Sequence, residues 1–422
     1  MTARIVVILF FVLLTAPAFA AQDSLPPESL PKLLDAAISN NPDLRSAAIH
    51  VGTLKSRARQ AGSLDDPMLM LKIQNGLIND PLNFSKDAMT QKVIGISQQL
   101  PFFGKRALRE EVANKEAEAF HYTHEEKALE LIRQVKEAYY QLYFTDRSLA
   151  IVLKNIGVLD TFITLAETKY SVGQGAQQDV YKAQLERSKM LDMQISLEQQ
   201  RKSLEIALNS LLYRPATQPV GPIPEPVLKD NLPPAKTLVD LAEQNRPALK
   251  NLKTMIERWE SSYRLARMES YPDFNVSFEY MQRDRAMGSN GDDMYSLGVT
   301  FNLPVRKERR QALQAESTSE INMTTEDLNA ARNIISSGIA DLLVQMERRK
   351  KLIELYKTGI IPQAEQSLES ATIGYRVNKV DFLTLLDSRV TLFNYEREYY
   401  DSVADYQVKR AQLEALVGKE LE

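Results

Sequence analysis

The chain has 422 residues, a formal net charge of −3 and no cysteine. Without cysteine, disulfide bonds, thiolate chemistry and a lipidated N-terminal cysteine are all excluded. The small net charge offers no basic surface of the kind that binds nucleic acid, so no nucleic-acid partner is expected.

The first twenty residues have the pattern of a secretory signal peptide. Arg4 supplies the positive start, Ile5–Leu14 the apolar run, and Ala18–Ala20 an A-x-A cleavage site. Ten apolar residues are too few to span a bilayer of about 30 Å, so a membrane anchor is the weaker alternative. No other segment approaches about 18 apolar residues, and we therefore expect no membrane-spanning helix.

An amphipathic helix is predicted for residues 29–61, after which the hydrophobic period changes to two. Short strands are predicted at 68–74 and 93–100, and again in the second half at 274–280 and 295–303. In the two strands predicted for the second half, aromatic and aliphatic residues alternate with polar or small residues. Runs of about 8–11 residues with such a face are typical of strands between lipid and a wet lumen, although a half-buried soluble hairpin is an alternative.

The predicted strands form two hairpins, joined by polar loops at residues 75–92 and 282–293. Four strands cannot close a membrane barrel, since the smallest such barrels use about eight. If these strands span a membrane, several copies of the chain must share one barrel. Oligomerisation is therefore part of the prediction.

A very long helix is predicted from Lys105 to Tyr170, roughly 100 Å long at about 1.5 Å per residue. Two rows of residues recur at intervals of seven: Ala128, Val135, Leu142, Leu149, Ile156, Ile163 and Tyr170, and then Leu131, Ala138, Thr145, Val152, Leu159 and Ala166. This repeat predicts left-handed coiled-coil packing. A return helix is predicted at 177–212, and a similar pair in the second half, where Pro362 should kink the outbound helix.

The chain is a duplicated unit of about 200 residues. Tyr170-Ser-Val-Gly and Tyr375-Arg-Val-Asn each end a long helix, and the two tyrosines lie 205 residues apart. We predict a signal peptide at 1–20, a first repeat at 21–214, a linker containing seven prolines at 215–234 and a second repeat at 235–422. Each tyrosine motif would form the tip of a long helical hairpin.

Candidates for chemistry are few. His121 and His124, beside Glu125, have a spacing that could hold a metal ion, but the heptad rows extended backward place both on the packing seam. A buried structural role is therefore favoured. Methionines in and near the strands, such as Met68 and Met70, suggest soft-metal transit less than they suggest lipid or core contacts. No nucleophile elbow, phosphate loop or zinc-protease motif occurs, so neither an enzyme nor a cofactor is expected.

The ordered set of these features resembles the TolC-like outer-membrane efflux family of Gram-negative bacteria, over essentially all of the mature chain. It comprises the duplication, the two-strand insert in each half, Leu100-Pro-Phe-Phe-Gly-Lys-Arg106 opening the long helix, and the paired tips. The resemblance implies a mainly α fold with transmembrane β: a homotrimer whose twelve-stranded outer-membrane barrel stands on an α-helical barrel through the periplasm. It also implies a passive exit duct, an inner-membrane pump of the RND type, a periplasmic adaptor and surrounding outer-membrane lipid.

The resemblance also carries individual residues at the tips. In the family, the first tip docks the adaptor and supplies an acidic latch residue, here Asp179; the full match is Tyr170, Val172, Gly173, Ala176, Asp179, Val180 and Ala183. In the second tip, Tyr375 and Val377 match, and Asp387 falls where the family has an acidic ring at the tunnel entrance. Three positions depart from the pattern: Asn378 replaces the usual glycine, Val380 stands where one well-known member has a basic latch partner, and Thr384 stands where the companion aspartate would be.

Three other functions are alternatives to the efflux channel. A periplasmic adaptor would carry one hairpin between β-rich modules, and a structural coiled-coil protein of the envelope would not need the strands. The outer-membrane component of a type I secretion system is the third. The runs 100–106 and 380–387 resemble the heavy-metal cation efflux branch, with drugs, dyes or secreted peptides as the alternative cargo.

Overall fold

The computed structural model describes residues 26–228 and 231–421; the predicted signal peptide lies outside them. In chain order the elements are α1 (Leu30–Asn40), α2 (Pro42–Gly62), β1 (Met68–Gln74), β2 (Gln91–Leu100), α3 (Lys105–Ser171), α4 (Gln177–Leu211), α5 (Ala235–Asn245), α6 (Pro247–Met268), β3 (Phe274–Arg283), β4 (Met294–Phe301), α7 (Lys307–Leu355), a π-helical turn (Tyr356–Ile360), α8 (Ile361–Arg376) and α9 (Phe382–Val417). The second repeat thus follows the order of the first.

The single helix predicted for residues 29–61 is wrong, because the chain breaks between α1 and α2. Asn41 has an extended backbone, as expected for a residue before proline, and Pro42 begins the next helix. The Asn41 side chain accepts hydrogen bonds from the amides of Asp43 and Leu44 at 2.9 and 3.1 Å. The second repeat breaks in the same way between α5 and α6, where Arg246 precedes Pro247.

The four strands form one antiparallel sheet in the order β1-β2-β3-β4. Their predicted positions are confirmed, with ends that shift by two or three residues: β2 starts at Gln91, β3 runs to Arg283, and β4 stops at Phe301. Directly paired residues share a face. One face carries Ile94, Tyr280 and Tyr295 in register, and the opposite face carries Gly95, Glu279 and Ser296.

The placement of the strand methionines differs from the expectation. Met68 pairs with Ser97 and Met70 with Gly95, so both lie on the polar face, opposite Leu69 and Leu71. On the same face, Lys72 Nζ lies 3.4 Å from Glu279 Oε2. The assignment of Met68 and Met70 as lipid contacts is therefore wrong, because both methionines lie on the polar face of β1.

The long helix α3 has 67 residues and agrees with the predicted bounds to within one residue. The second heptad row is buried from Leu131 to Ala166, as expected for a packing seam. The first row is not buried throughout, because it drifts toward solvent and ends at an exposed Tyr170. In the half of α3 nearer the tip, a different row is buried instead. Its members, again seven residues apart, are Ser148, Asn155, Phe162 and Lys169.

The helix α3 departs from the expectation that no helix is apolar enough to span a membrane. By length and composition alone, α3 contains an 18-residue window apolar enough to cross a bilayer. The same helix packs against α2, α4, α6 and α9, and an apolar seam between such partners passes the same test. Pro362 is the second residue of α8, directly after the π-helical turn, so the α-helical hydrogen bonding of the second outbound helix is interrupted where the kink was predicted.

The packing of the helices leaves two open edges. Around the distal part of the molecule, α4 packs on α3, α3 on α9, and α9 on α7 and α8. The free edges are thus α4 from the first repeat and α7 with α8 from the second. The sheet has the same property, since β1 and β4 are its outer strands.

Candidate functional site

The two helical tips have the same backbone geometry. In the first tip, Gly173 has a φ of +72°, and Gln174 N donates to Lys169 O at 2.8 Å. In the second, Asn378 has a φ of +61°, and Lys379 N donates to Gly374 O at 2.8 Å. Both are glycine-type helix ends in which a left-handed residue closes the last turn, and asparagine tolerates that conformation better than most residues do. The loss of the expected glycine at Asn378 therefore leaves the turn unchanged.

The tip residues named from the sequence fall into an exposed group and a buried group. Val172 and Val377 are 62% and 57% exposed, and Tyr170 is also exposed. Val180 and Tyr375 are buried, while Asp179 is half-buried in the first turn of α4. Apolar side chains with this exposure at the end of a hairpin form a surface suited to a protein partner. We call Tyr170, Val172 and Val377 the tip surface.

Lys169 connects the two tips and was not identified from the sequence. Its side chain is buried, and its ammonium group donates to Tyr375 O at 2.6 Å and to Asn378 Oδ1. The ammonium also lies 4.5 Å from the centre of the Tyr375 ring. The signal that could have revealed it is the row Asn155, Phe162, Lys169, which continues the packing seam with polar members.

The expected latch between Asp179 and its neighbours is not formed by a direct bond within the described residues. The Tyr375 hydroxyl is buried and has no hydrogen-bond partner there. Burial raises the pKa of this phenol, and the nearby Asp179 carboxylate raises it further. Asp179 thus acts on Tyr375 through its charge, whereas Lys169 makes the hydrogen bonds that join the tips.

Asp387 lies on the exposed face of α9, just beyond the second tip. The helix begins at Asp381, whose side chain accepts from Thr384 N at 2.7 Å, and this backbone hydrogen bond lowers the pKa of Asp381. Phe382 and Leu385 face the core, and Asp387 faces solvent with Thr384. Asp387 is therefore free of the packing of its own chain.

Next to Asp387, Arg389 is a buried cation that sequence reasoning missed. Its side chain is 2% exposed and donates from Nε to Asn155 Oδ1, which joins α9 to α3. Burial lowers the pKa of the guanidinium, and Glu396, 3.9 Å away, partly offsets this effect. The α3–α9 contact near the tip is consequently held by polar groups within an otherwise apolar seam.

The histidines do not occupy the buried seam that the heptad rows predicted. His121 is exposed, with Nε2 3.3 Å from Glu125 Oε1, and its ring stacks on His124 at 6.4 Å between centres. Within residues 26–228 and 231–421, no group of three or more His, Cys, Asp or Glu side chains could hold a metal ion. Within these ranges, no third side chain is placed to complete a metal site with His121 and His124.

The junction between sheet and helices is fixed by a buried lysine. Lys105, fully buried at the start of α3, donates to Asp273 Oδ1 and to Tyr271 O, both at 2.9 Å. Phe102 N also donates to Asp273 at 2.8 Å. Burial acts to raise the pKa of Asp273, but these hydrogen bonds outweigh it and hold the pKa below its usual value. The motif that opens the long helix thus ties α3 to the strand β3.

Both open helical edges carry exposed apolar residues at intervals of ten or eleven. On α4 these are Leu185, Ile195 and Ile206, and on α7 they are Met323, Ile334, Val344 and Leu355. An eleven-residue period keeps residues on one side of a nearly straight helix. Each edge therefore presents a row of exposed apolar side chains, about 15 Å apart at about 1.5 Å per residue, to a neighbour outside the chain. Each outer strand of the sheet likewise offers unpaired backbone groups.

Comparison with known proteins identifies this architecture. The chain matches the family "Outer membrane efflux protein" over residues 33–212 and 238–419. It is 22% identical to the cobalt-zinc-cadmium resistance protein CzcC of Cupriavidus metallidurans over 397 residues, covering 93% of this chain and 90% of that protein. Among solved structures, the outer membrane protein VceC of Vibrio cholerae superposes with a TM-score of 0.77 at 17% identity, covering 93% of this chain and 97% of VceC.

The open state of the Neisseria gonorrhoeae MtrE outer membrane channel also superposes, with a TM-score of 0.73 at 17% identity, covering 93% of this chain and 89% of MtrE. The family match includes both repeats, which favours a channel over an adaptor with one hairpin or a structural coiled coil. The chain therefore belongs to the outer membrane efflux protein family, whose members form the trimeric outer-membrane exit channels of tripartite efflux systems.

Proposed function

We propose that this outer-membrane channel exports divalent transition-metal cations. The observation that carries the proposal is the similarity to a protein named for cobalt, zinc and cadmium resistance, which extends over 93% of the chain. The energy would come from an inner-membrane pump of the RND type, with a periplasmic adaptor between pump and channel. The channel itself needs no metal-binding centre, because a passive duct conducts what the pump delivers.

The tip surface of Tyr170, Val172 and Val377 is the proposed docking site of the adaptor. These three side chains are exposed, although the residues beside them at the end of the hairpin are well packed. Gly173, between the two helices, keeps the turn narrow. A helical hairpin of the adaptor could pack between two such tips, with apolar contact at the centre and the charged helix surfaces at the rim.

The exposed Asp387 is the proposed charge at the tunnel mouth. In a trimer, three copies would approach one another around the axis, and their mutual repulsion would be relieved by a bound cation. Divalent cations would be concentrated at the mouth for the same reason. Asp179 and Asp387 thus have separate proposed roles, the first in the electrostatics of the tip and the second in the electrostatics of the pore.

Growth of a clean deletion strain tests the proposed cargo. The strain would be challenged with cobalt, zinc and cadmium salts, monovalent silver, detergents, dyes and antibiotics, with the wild-type gene restored on a plasmid as the control. We expect sensitivity to the divalent metals alone, reversed by the plasmid. Sensitivity to amphiphilic organic compounds would contradict the proposal, and loss of a secreted peptide would instead indicate a type I secretion system.

A further inference from the structure

An apolar groove lies at the junction of the sheet with the long helices. It is a cavity of about 640 Å³ between the end of α2, the start of α3 and one face of β3 and β4. Phe102 forms its wall and stacks on Tyr271 with ring centres 4.6 Å apart. Phe103, at the rim, is 83% exposed. The volume is within the range of about 300–1,000 Å³ that is usual for small-molecule sites.

The groove is continuous with the lipid-facing surface of the sheet. Val276 and Val299, which line it, pair directly across β3 and β4. The next pairs on that face are Phe278 with Leu297 and Tyr280 with Tyr295, all of them exposed. Because this is the apolar face of an outer-membrane strand pair, a hydrocarbon chain that lies along it reaches the groove without crossing a polar barrier.

The polar groups at the mouth of the groove are one cation and one anion. Arg106 and Glu110 lie one turn apart on α3 and both line the cavity. Arg106 donates to Gly62 O from Nε at 2.9 Å and from Nη2 at 2.7 Å, which fixes the guanidinium at the end of α2. The Glu110 carboxylate packs over Gly62 so closely that a side chain there would collide with it. Arg106 is thus held in place by hydrogen bonds, and Glu110 lies one turn further along the same apolar cavity.

We propose that this groove binds a zwitterionic phospholipid of the periplasmic leaflet, with phosphatidylethanolamine as its chemical type. One acyl chain fills the groove along Phe102, Val276 and Val299. The lipid phosphate pairs with Arg106, and the ammonium group pairs with Glu110. An anionic lipid would form only the pair between its phosphate and Arg106. Its negative charge would be repelled by the Glu110 carboxylate.

Native mass spectrometry of the detergent-solubilised trimer tests this inference. The protein would be titrated with phosphatidylethanolamine and, separately, with phosphatidylglycerol of the same acyl chains. We expect the wild type to retain phosphatidylethanolamine at least about fivefold better than phosphatidylglycerol. Ala107→Trp, which fills the groove, should lose that retention. Ala48→Trp, at an exposed site far from the groove on α2, should behave as the wild type.

A second variant separates the headgroup from the acyl chain. Glu110→Gln keeps the size of the side chain but removes the anion, so the preference for phosphatidylethanolamine over phosphatidylglycerol should disappear while lipid still binds. Equal retention of both lipids by the wild type would overturn the zwitterionic assignment. Unchanged retention by Ala107→Trp would overturn the groove as the site. The trimer mass in each spectrum reports whether the variant has assembled, and no outcome depends on the transported cargo.

Discussion

The ammonium group of Lys169 lies 2.6 Å from the carbonyl oxygen of Tyr375 and so joins the end of the first outbound helix to the end of the second. The same group donates to the side chain of Asn378, the residue that replaces the expected glycine in the second tip. Lys169 and Asn378 therefore connect the two tips of the chain directly.

Replacing Lys169 with methionine should loosen the contact between the two tips. The substitution keeps the apolar stem but leaves Tyr375 O and Asn378 Oδ1 without their donor, a change of about 1–3 kcal/mol. We expect a larger single-channel conductance in planar bilayers. Lys189→Met is the matched control and should leave the conductance unchanged, because this lysine bonds to Glu186 of its own helix and to no other described residue. Equal conductance in both variants would show that Lys169 does not hold the tip.

The sequence predicted most of the fold because the repeat and the hydrophobic period are local properties. The ends of α3 and the four strands followed from them directly. The exposure of His121 did not, because the partners of α3 change along its length. Near the histidines the neighbours are α2 and α6: His50 packs edge-on against Phe120 at 4.5 Å, and Asn251 donates to Thr123 at 3.1 Å. A heptad extrapolated from the α4 and α9 contacts therefore pointed in the wrong direction.

The tip site was predicted in location but not in its bonds. Tyr375 and Tyr170 are equivalent in the repeat, yet one is buried and the other exposed. Their environments differ because Lys169 and Phe382 enclose Tyr375, whereas Tyr170 lies beside the open edge of the chain. A seven-residue repeat does not show which distant helix a residue will contact. Nor does it show which residues will contact another copy of the chain.

Glu243 should make the stability of the protein depend on acid pH. Arg332, by its hydrogen bonds, and then Lys253 lower the pKa of this carboxyl to about 2, against an unfolded value of about 4.3. A lowered pKa stabilises the fold above the unfolded value, and this contribution is lost as the pH falls from about 4.5 toward 2. Because the groups are more than a third exposed, the contribution is at most about 1 kcal/mol.

Thermal denaturation of the wild type and Glu243→Gln between pH 7 and pH 2.5 measures this effect. The variant should be less stable at pH 7 and should approach the wild type at pH 2.5. Asp35→Asn, at a carboxylate on α1 for which no ion pair is found among the described residues, is the control for a general acid effect. A gap that stays constant down to pH 2.5 would mean that Glu243 contributes through packing and not through its charge.

The Lys105–Asp273 contact should be required for joining the sheet to the helices. Removal of one member leaves the other with fewer partners, since Lys105 keeps Tyr271 O and Asp273 keeps the amide of Phe102. The cost should therefore lie below the roughly 3–5 kcal/mol typical of a buried charge left with no partner. We expect Lys105→Met and Asp273→Asn each to lower the midpoint of heat dissociation of the trimer on a gel. The double variant should cost less than the two single variants combined. Strict additivity would indicate that the two side chains act independently, against the 2.9 Å contact.

The charge at Asp387 should control how cations act on the channel. In the wild type, a divalent cation added to the tip side should reduce the conductance by binding among the carboxylates. Asp387→Asn should raise the half-blocking concentration about tenfold or more, equivalent to roughly 1.4 kcal/mol of lost binding free energy. Asp327→Asn, at an exposed carboxylate on α7 far from the tip, is the matched control. If the two variants are blocked at the same concentration, Asp387 does not line the mouth of the pore, and the acidic entrance must be sought among the other tip carboxylates.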